Sequence, residues 1–86
     1  MRKEVDEFGT IYYYNDNDER HMEGGPAVEY ADGTKYWYKN GLCHREDGPA
    51  VEHANGGKEY YYNNINYPEI KTDEDWKRFI KLMVFQ

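Results

Sequence analysis

The stretch Asp32-Gly33-Thr34-Lys35-Tyr36-Trp37-Tyr38-Lys39-Asn40-Gly41-Leu42-Cys43-His44-Arg45-Glu46-Asp47-Gly48-Pro49-Ala50-Val51-Glu52-His53 has relatives on both of its sides within the same chain. The period is 23 residues, read from Pro26 to Pro49 and from Gly33 to Gly56. Upstream, Gly9-Thr10-Ile11-Tyr12-Tyr13-Tyr14 matches its aromatic part. His21-Met22-Glu23-Gly24-Gly25-Pro26-Ala27-Val28-Glu29 matches its second part, with one extra residue between the two. Downstream, Asn55-Gly56-Gly57-Lys58-Glu59-Tyr60-Tyr61-Tyr62-Asn63 opens a third copy that is cut short at Tyr67-Pro68.

Each copy reads as two short strands, because runs rich in Tyr, Trp and Val are separated by Asp-Gly or Asn-Gly, dipeptides that tolerate φ > 0 in two-residue hairpin turns. The expected fold is mainly β, an antiparallel meander of short hairpins in a single sheet. Turning at Asn40-Gly41 sets Lys39 opposite Leu42, Tyr38 opposite Cys43 and Trp37 opposite His44. Turning at Asp32-Gly33 sets Val28 opposite Trp37. Val28, Trp37 and His44 then share one face. The same reading at Asn55-Gly56 and Asn63-Asn64 gives a second row of Val51, Tyr60 and Tyr67, and Tyr13 with His21 forms an outer row. The other face carries Tyr12, Tyr14, Tyr36, Tyr38 and Tyr61 with Ala27, Ala50 and Cys43.

A sheet that is aromatic on both sides needs a lid, and the lid follows Pro68. Thr72 can cap a helix, acids fill its first turn, and Trp76, Phe79, Ile80, Met83 and Val84 recur at helical spacing. The chain is therefore expected to form one domain over 1–86, a meander over 7–70 closed by an amphipathic helix over 71–86; at this size a second core would not hold itself together. Seven basic and 14 acidic residues fall in 1–70, against four and three in 71–86, so the sheet is the acidic part.

The overall charge of −6 makes a sequence-independent grip on nucleic-acid phosphates unfavourable. Mean hydropathy is low, at −1.18. Ten tyrosines and 17% aromatic residues nevertheless mark a chain that folds, since disordered acidic chains are poor in aromatics. One cysteine, Cys43, forms no internal disulfide and fits a reducing cytoplasm. The first residues lack the apolar run of a secretory signal, and no stretch approaches the ~20 apolar residues of a membrane span.

The segment His44-Arg45-Glu46-Asp47-Gly48-Pro49-Ala50-Val51, preceded by Trp37-Tyr38-Lys39-Asn40-Gly41, resembles the tandem "HREDGPA" repeats related to MORN-type repeats that occur in tailed-phage and large-virus proteins. The closing Tyr67-Pro68-Glu69-Ile70 and the helix around Trp76-Lys77 resemble the usual end of such arrays. The likeness covers residues 8–80; the first copy departs from it at Met22 and Gly24, where the pattern has Arg and Asp. It implies a viral setting and a repeat fold, and it supplies no catalytic residue.

Candidate chemistry is thin in the sequence. His21, His44, His53 and Cys43 are the available soft or borderline metal ligands, yet His44 and Cys43 face opposite sides of one strand and cannot close on one ion, so no metal is expected. The expectation for His44 is packing on Trp37, with a ring nitrogen bonded near Asp47. Cys43 is expected as a small buried thiol under the helix. Nucleophilic catalysis lacks a serine altogether, and Glu46-Asp47 and Asp73-Glu74-Asp75 suit a turn and a helix start. The reading is a non-enzyme without cofactor.

Two surface features point to partner binding. Glu29, Glu52 and Glu59 are expected on one face, joined by Asp16, Asp18 and Glu19 in the first hairpin loop and by Glu46 and Asp47 in the second. Strand spacings of ~5 and ~7 Å resemble phosphate spacing, so such an array would mimic nucleic acid. The surplus tyrosines, Tyr36 among them, offer contact area at low entropy cost. The functional expectation is a monomeric, cytoplasmic phage or viral accessory protein that inhibits a host protein by occupancy, an anti-CRISPR type of role included, without direct contact to nucleic acid or membrane. The alternative is a structural repeat module that self-assembles. Trp37, His44, Val28, Val51, Tyr60, Tyr67, Trp76, Phe79 and Ile80 are assigned to structure.

Overall fold

The computed structural model describes residues 1–84. Ten strands precede one helix: β1 (Arg2–Val5), β2 (Ile11–Tyr14), β3 (Val28–Glu29), β4 (Lys35–Tyr36), β5 (Tyr38–Lys39), β6 (Leu42–Cys43), β7 (Val51–Glu52), β8 (Lys58–Glu59), β9 (Tyr61–Tyr62), β10 (Ile65–Asn66) and α1 (Asp73–Val84). The expected antiparallel meander with a C-terminal helix is the fold. It is divided, however, into a six-stranded sheet in the order β1-β2-β3-β4-β7-β8 and two two-stranded ladders, β5-β6 and β9-β10. The meander also begins at Arg2, ahead of the first recognisable repeat, because β1 pairs along its whole length with β2.

The division falls at Trp37 and Tyr60. Trp37 donates its N–H to the Ala50 carbonyl in the main sheet and accepts at its own carbonyl from the His44 N–H in the hairpin beyond. One residue therefore ends the sheet and starts the ladder.

Turn chemistry comes in two kinds. At Asn40-Gly41 and Asn63-Asn64 both central residues have positive φ, as a two-residue primed turn requires, and the ladders keep the expected register of Tyr38 with Cys43 and Tyr62 with Ile65. At Asp32-Gly33 only the glycine is left-handed, with φ +98°. There the Tyr30 N–H bonds Thr34 and the Gly33 N–H bonds back to Tyr30, which closes a three-residue loop, Ala31-Asp32-Gly33. Ala54-Asn55-Gly56 and Glu7-Phe8-Gly9 are built alike. The extra residue shifts register by one, so Val28 pairs with Tyr36 and Val51 with Glu59, not with Trp37 and Tyr60. A one-residue slip moves side chains to the opposite face. Val28 and Val51 consequently join the tyrosine side.

Successive hairpins are tied by histidine. The Asn40 N–H donates to His21 Nδ1 at 2.9 Å, and the Asn63 N–H donates to His44 Nδ1 at 3.0 Å. A nitrogen that accepts there leaves the proton on Nε2, which donates to Glu23 and Glu46 respectively, each at 3.1 Å. The His44 ring packs on Tyr62, 4.7 Å between centroids, and its acid is Glu46. His44 keeps its expected place opposite Trp37, whose carbonyl accepts from the His44 N–H, but the expected bond near Asp47 goes to Glu46 while Nδ1 serves the turn of the next hairpin.

The helix starts where its cap places it: Thr72 Oγ1 accepts from the Asp75 N–H, and Asp73, Glu74 and Asp75 fill the first turn. Trp76 and Ile80 are buried with Tyr60, and Tyr62, Tyr67, Ile70 and Phe79 close around them. Val84 stays exposed, and the part of the expected helix beyond it lies outside the described residues.

Candidate protein-binding surface

Directly paired residues share a face, so the register defines two rows across the main sheet. One runs Tyr12, Val28, Tyr36, Val51, Glu59; the other runs Ile11, Glu29, Lys35, Glu52, Lys58. The acidic array expected from the sequence is therefore broken. Glu59 stands on the opposite face from Glu29 and Glu52, and between and beside those two lie Lys35 and Lys58. The same one-residue slip is the cause.

Most of the remaining acids hold structure together. Glu52 accepts from Arg45 Nη1 at 3.0 Å, Asp47 from Arg45 Nε at 3.0 Å, and Glu59 from His53 Nε2 at 2.6 Å. Asp18 pairs with Arg2 at 2.5 Å, and Glu19 accepts from Asn15 Nδ2 at 3.0 Å. Asn15 also reaches Asn40 Oδ1 at 3.1 Å, which fastens the first hairpin loop to the second. Asp16, with a side chain 97% exposed, faces solvent and the chain's amino group 3.4 Å away.

The helix lies on the side of Tyr60 and Tyr67, and the other side stays open. There Tyr12 stacks on Tyr14 and Tyr36 on Tyr38, each pair at 6.3 Å, while Tyr30 meets Tyr36 edge-on at 5.6 Å. Arg20 bridges the two stacks, its guanidinium 5.4 Å from the Tyr12 ring and 5.7 Å from the Tyr38 ring. These rings are half-buried, with Tyr30 the most open at 40%. Burial, then neighbouring Tyr30 and Tyr38, pushes the Tyr36 hydroxyl above its ordinary range, so the ring keeps its proton and can donate.

Beneath this face sits Cys43, buried with Ala50 and Val51 and packed by Tyr36, Trp37, Tyr38 and Tyr61. The thiol is thus under tyrosines and not under the helix. Burial, with Glu59 as a secondary cause, pushes it up to about 12, so the reactive thiolate is scarce. Among the described residues no three His, Cys, Asp or Glu side chains converge as metal ligands.

Sequence reasoning missed Arg45. Its guanidinium lies 4.0 Å from the Trp37 ring centroid and donates to Asp47, Glu52 and the Pro49 carbonyl, while its own carbonyl accepts from Trp76 Nε1 at 2.9 Å. A Cβ on Gly48 would come within 3.0 Å of that guanidinium, so a side chain there would push the arginine aside. The signal was legible between copies, because the first copy replaces Arg45 by Met22 and also replaces Asp47 by Gly24.

Comparison of the chain with protein-family models, with curated proteins and with solved structures finds no match. No helix among the described residues is long and apolar enough to cross a membrane.

Proposed function

We propose that the chain is a small, non-enzymatic binding protein that docks a partner protein through its tyrosine face and acts by occupying the partner's surface. The observation that carries this is the placement of α1, which packs on Tyr60 and leaves Tyr12, Tyr14, Tyr30, Tyr36 and Tyr38 around Arg20 on the open side. Tyr and Arg are enriched where protein interfaces concentrate their binding energy. Tyr supplies amphipathic area at small entropic cost. The net charge of −6 adds long-range attraction toward a basic partner.

The resemblance of residues 44–51 to viral repeats supports a host protein in the cytoplasm as the partner, with nucleic-acid-handling and CRISPR-type defence factors the class to test first. Inhibition by occupancy is the mechanism proposed. Tagged protein, Tyr30→Lys and Arg20→Glu variants, and an Asp16→Lys/Glu29→Lys variant are compared by affinity capture at low and high salt. Loss of one reproducible host protein with the first two variants alone is the expected result. Loss only with the acid reversals transfers the site to the acidic residues, and retention by every variant overturns the reading.

A self-assembling structural module is the second reading, favoured by β1, an edge strand exposed at all four residues. A mass in solution that grows with concentration supports it.

A further inference from the structure

The seat of the C-terminal helix occurs twice in the molecule: α1 fills the second, and the Arg45 guanidinium, 4.0 Å from the Trp37 ring centroid, covers part of the first. Trp76 lies 5.4 Å from Tyr60 and 5.7 Å from Tyr67, and its indole N–H donates to the Arg45 carbonyl. Lys77 and Ile80 border Glu46 and Asp47. Moved back by one repeat of 23 residues, these partners become Trp37, His44, the Met22 carbonyl, Glu23 and Gly24. All five residues line one cleft of about 350 Å³ between the Met22–Pro26 and His44–Asp47 loops.

The backbone equivalence is close. The Met22 N–H donates to Tyr38 as the Arg45 N–H donates to Tyr61, both at 3.3 Å. The Arg45 carbonyl takes the indole N–H, whereas the Met22 carbonyl takes no hydrogen bond among the described residues. Gly24 and Gly25 leave the wall of the cleft without side chains, and the Arg45 guanidinium and Trp37 supply a planar cation and a ring for an aromatic guest.

We infer that this cleft is a second docking site, which takes an amphipathic helix from a partner protein bearing a Trp, an aliphatic residue four positions on, and a basic residue next to the Trp. The chain's own helix, with Trp76, Ile80 and Lys77, is the template for that occupant. The indole N–H bonds the Met22 carbonyl, and the basic residue faces Glu23. Tyr38 borders both this cleft and the tyrosine face, while Met22, Glu23, Gly24 and Trp37 belong to the cleft and carry its test.

The probe is a blocked peptide with the sequence of residues 71–84, titrated into the isotope-labelled full-length protein and followed by NMR. Saturable shifts are expected at the Met22, Gly24 and Gly25 amides and the Trp37 indole. Replacing the peptide's Trp by Ala weakens binding at least ~10-fold, as loss of a buried aromatic anchor does. Gly25→Leu in the protein, at a position where a Cβ meets only Met22 at 3.9 Å, blocks the cleft and lowers affinity by a similar factor without changing the melting temperature. Shifts confined to Tyr60, Tyr67 and Ile70 would mean that the peptide merely displaces the resident helix, and they overturn the inference. Absence of shifts at millimolar peptide overturns it equally.

Discussion

Trp37 in the second copy and Tyr60 in the third hold the same place in the repeat, and they are covered by different means. Over Trp37 lies the guanidinium of Arg45, eight residues further along the same hairpin and locked by Asp47, Glu52 and the Pro49 carbonyl. The third copy has Pro68 where the second has Arg45, so no such arm exists, and Trp76 brings the cover from α1. The first cover is polar, local and half-open; the second is apolar, remote in sequence and fully buried, with Trp76 and Tyr60 at 0% and 1% exposure. An inner repeat is thus half-covered by its own ion-paired arginine, which leaves the cleft beside Trp37 open, whereas the end of the array is closed fully by a separate element. The difference explains why the helix belongs to the fold and is not an appendage.

Removing the apolar cover should cost most. Trp76→Ala empties the core of the third copy, frees the Arg45 carbonyl and is expected to destabilise by about 3–5 kcal/mol, read from urea midpoints. In a domain of this size that is most of the stability. A loss below ~1 kcal/mol would show that the helix is a loose attachment.

Arg45→Met imitates the first copy and removes the polar cover, leaving Glu52 without its guanidinium partner. About 1–2 kcal/mol is expected, since charge-assisted bonds and the Trp37 contact go together. Arg45→Lys should recover only part of it, because a single ammonium cannot serve Asp47, Glu52 and the ring at once. Full recovery by Lys would reduce the arginine to a point charge.

The copies differ again at Cys43, which is buried, while its counterpart Asn66 is exposed. In the unfolded chain the thiol ionises near 9, and in the fold it does so near 12, so its contribution is complete below pH 9 and is lost as pH rises from 9 toward 12. At pH 10 the loss is about 1 kcal/mol. Cys43→Ala should flatten that alkaline limb in stability measured against pH; an unchanged limb would assign it to the tyrosines. The smallest effect is at the turns: Asn64→Gly copies Gly41 and relieves a φ of +73°, but gives up the Asn64 Oδ1 bond to the Cys43 N–H at 3.3 Å. A change within about 0.5 kcal/mol is expected by thermal melting.

Much of this was legible along the chain. The repeat, the hairpins at Asn40-Gly41 and Asn63-Asn64, the Thr72 cap and the apolar stripe of Trp76 and Ile80 all follow from local chemistry. The faces of the sheet do not. Asp32-Gly33 satisfies a two-residue turn and a three-residue loop equally well, and the two differ by one residue in register. The sequence could not choose between an acidic row and one alternating Glu29, Lys35, Glu52 and Lys58.

What the sequence determined by itself was the repeat, its elements and its end, because those rest on dihedral preference, capping and periodicity, which act within a few residues. Which residues share a face was decided only when the strands paired. Burying Val28 and Val51 beneath the tyrosines selects the three-residue loops, and that selection places Glu59, Cys43 and the open aromatic face where they are. The covers of Trp37 and Tyr60 were settled at the same level, since a guanidinium from eight residues away and an indole from sixteen meet their rings only in the assembled fold.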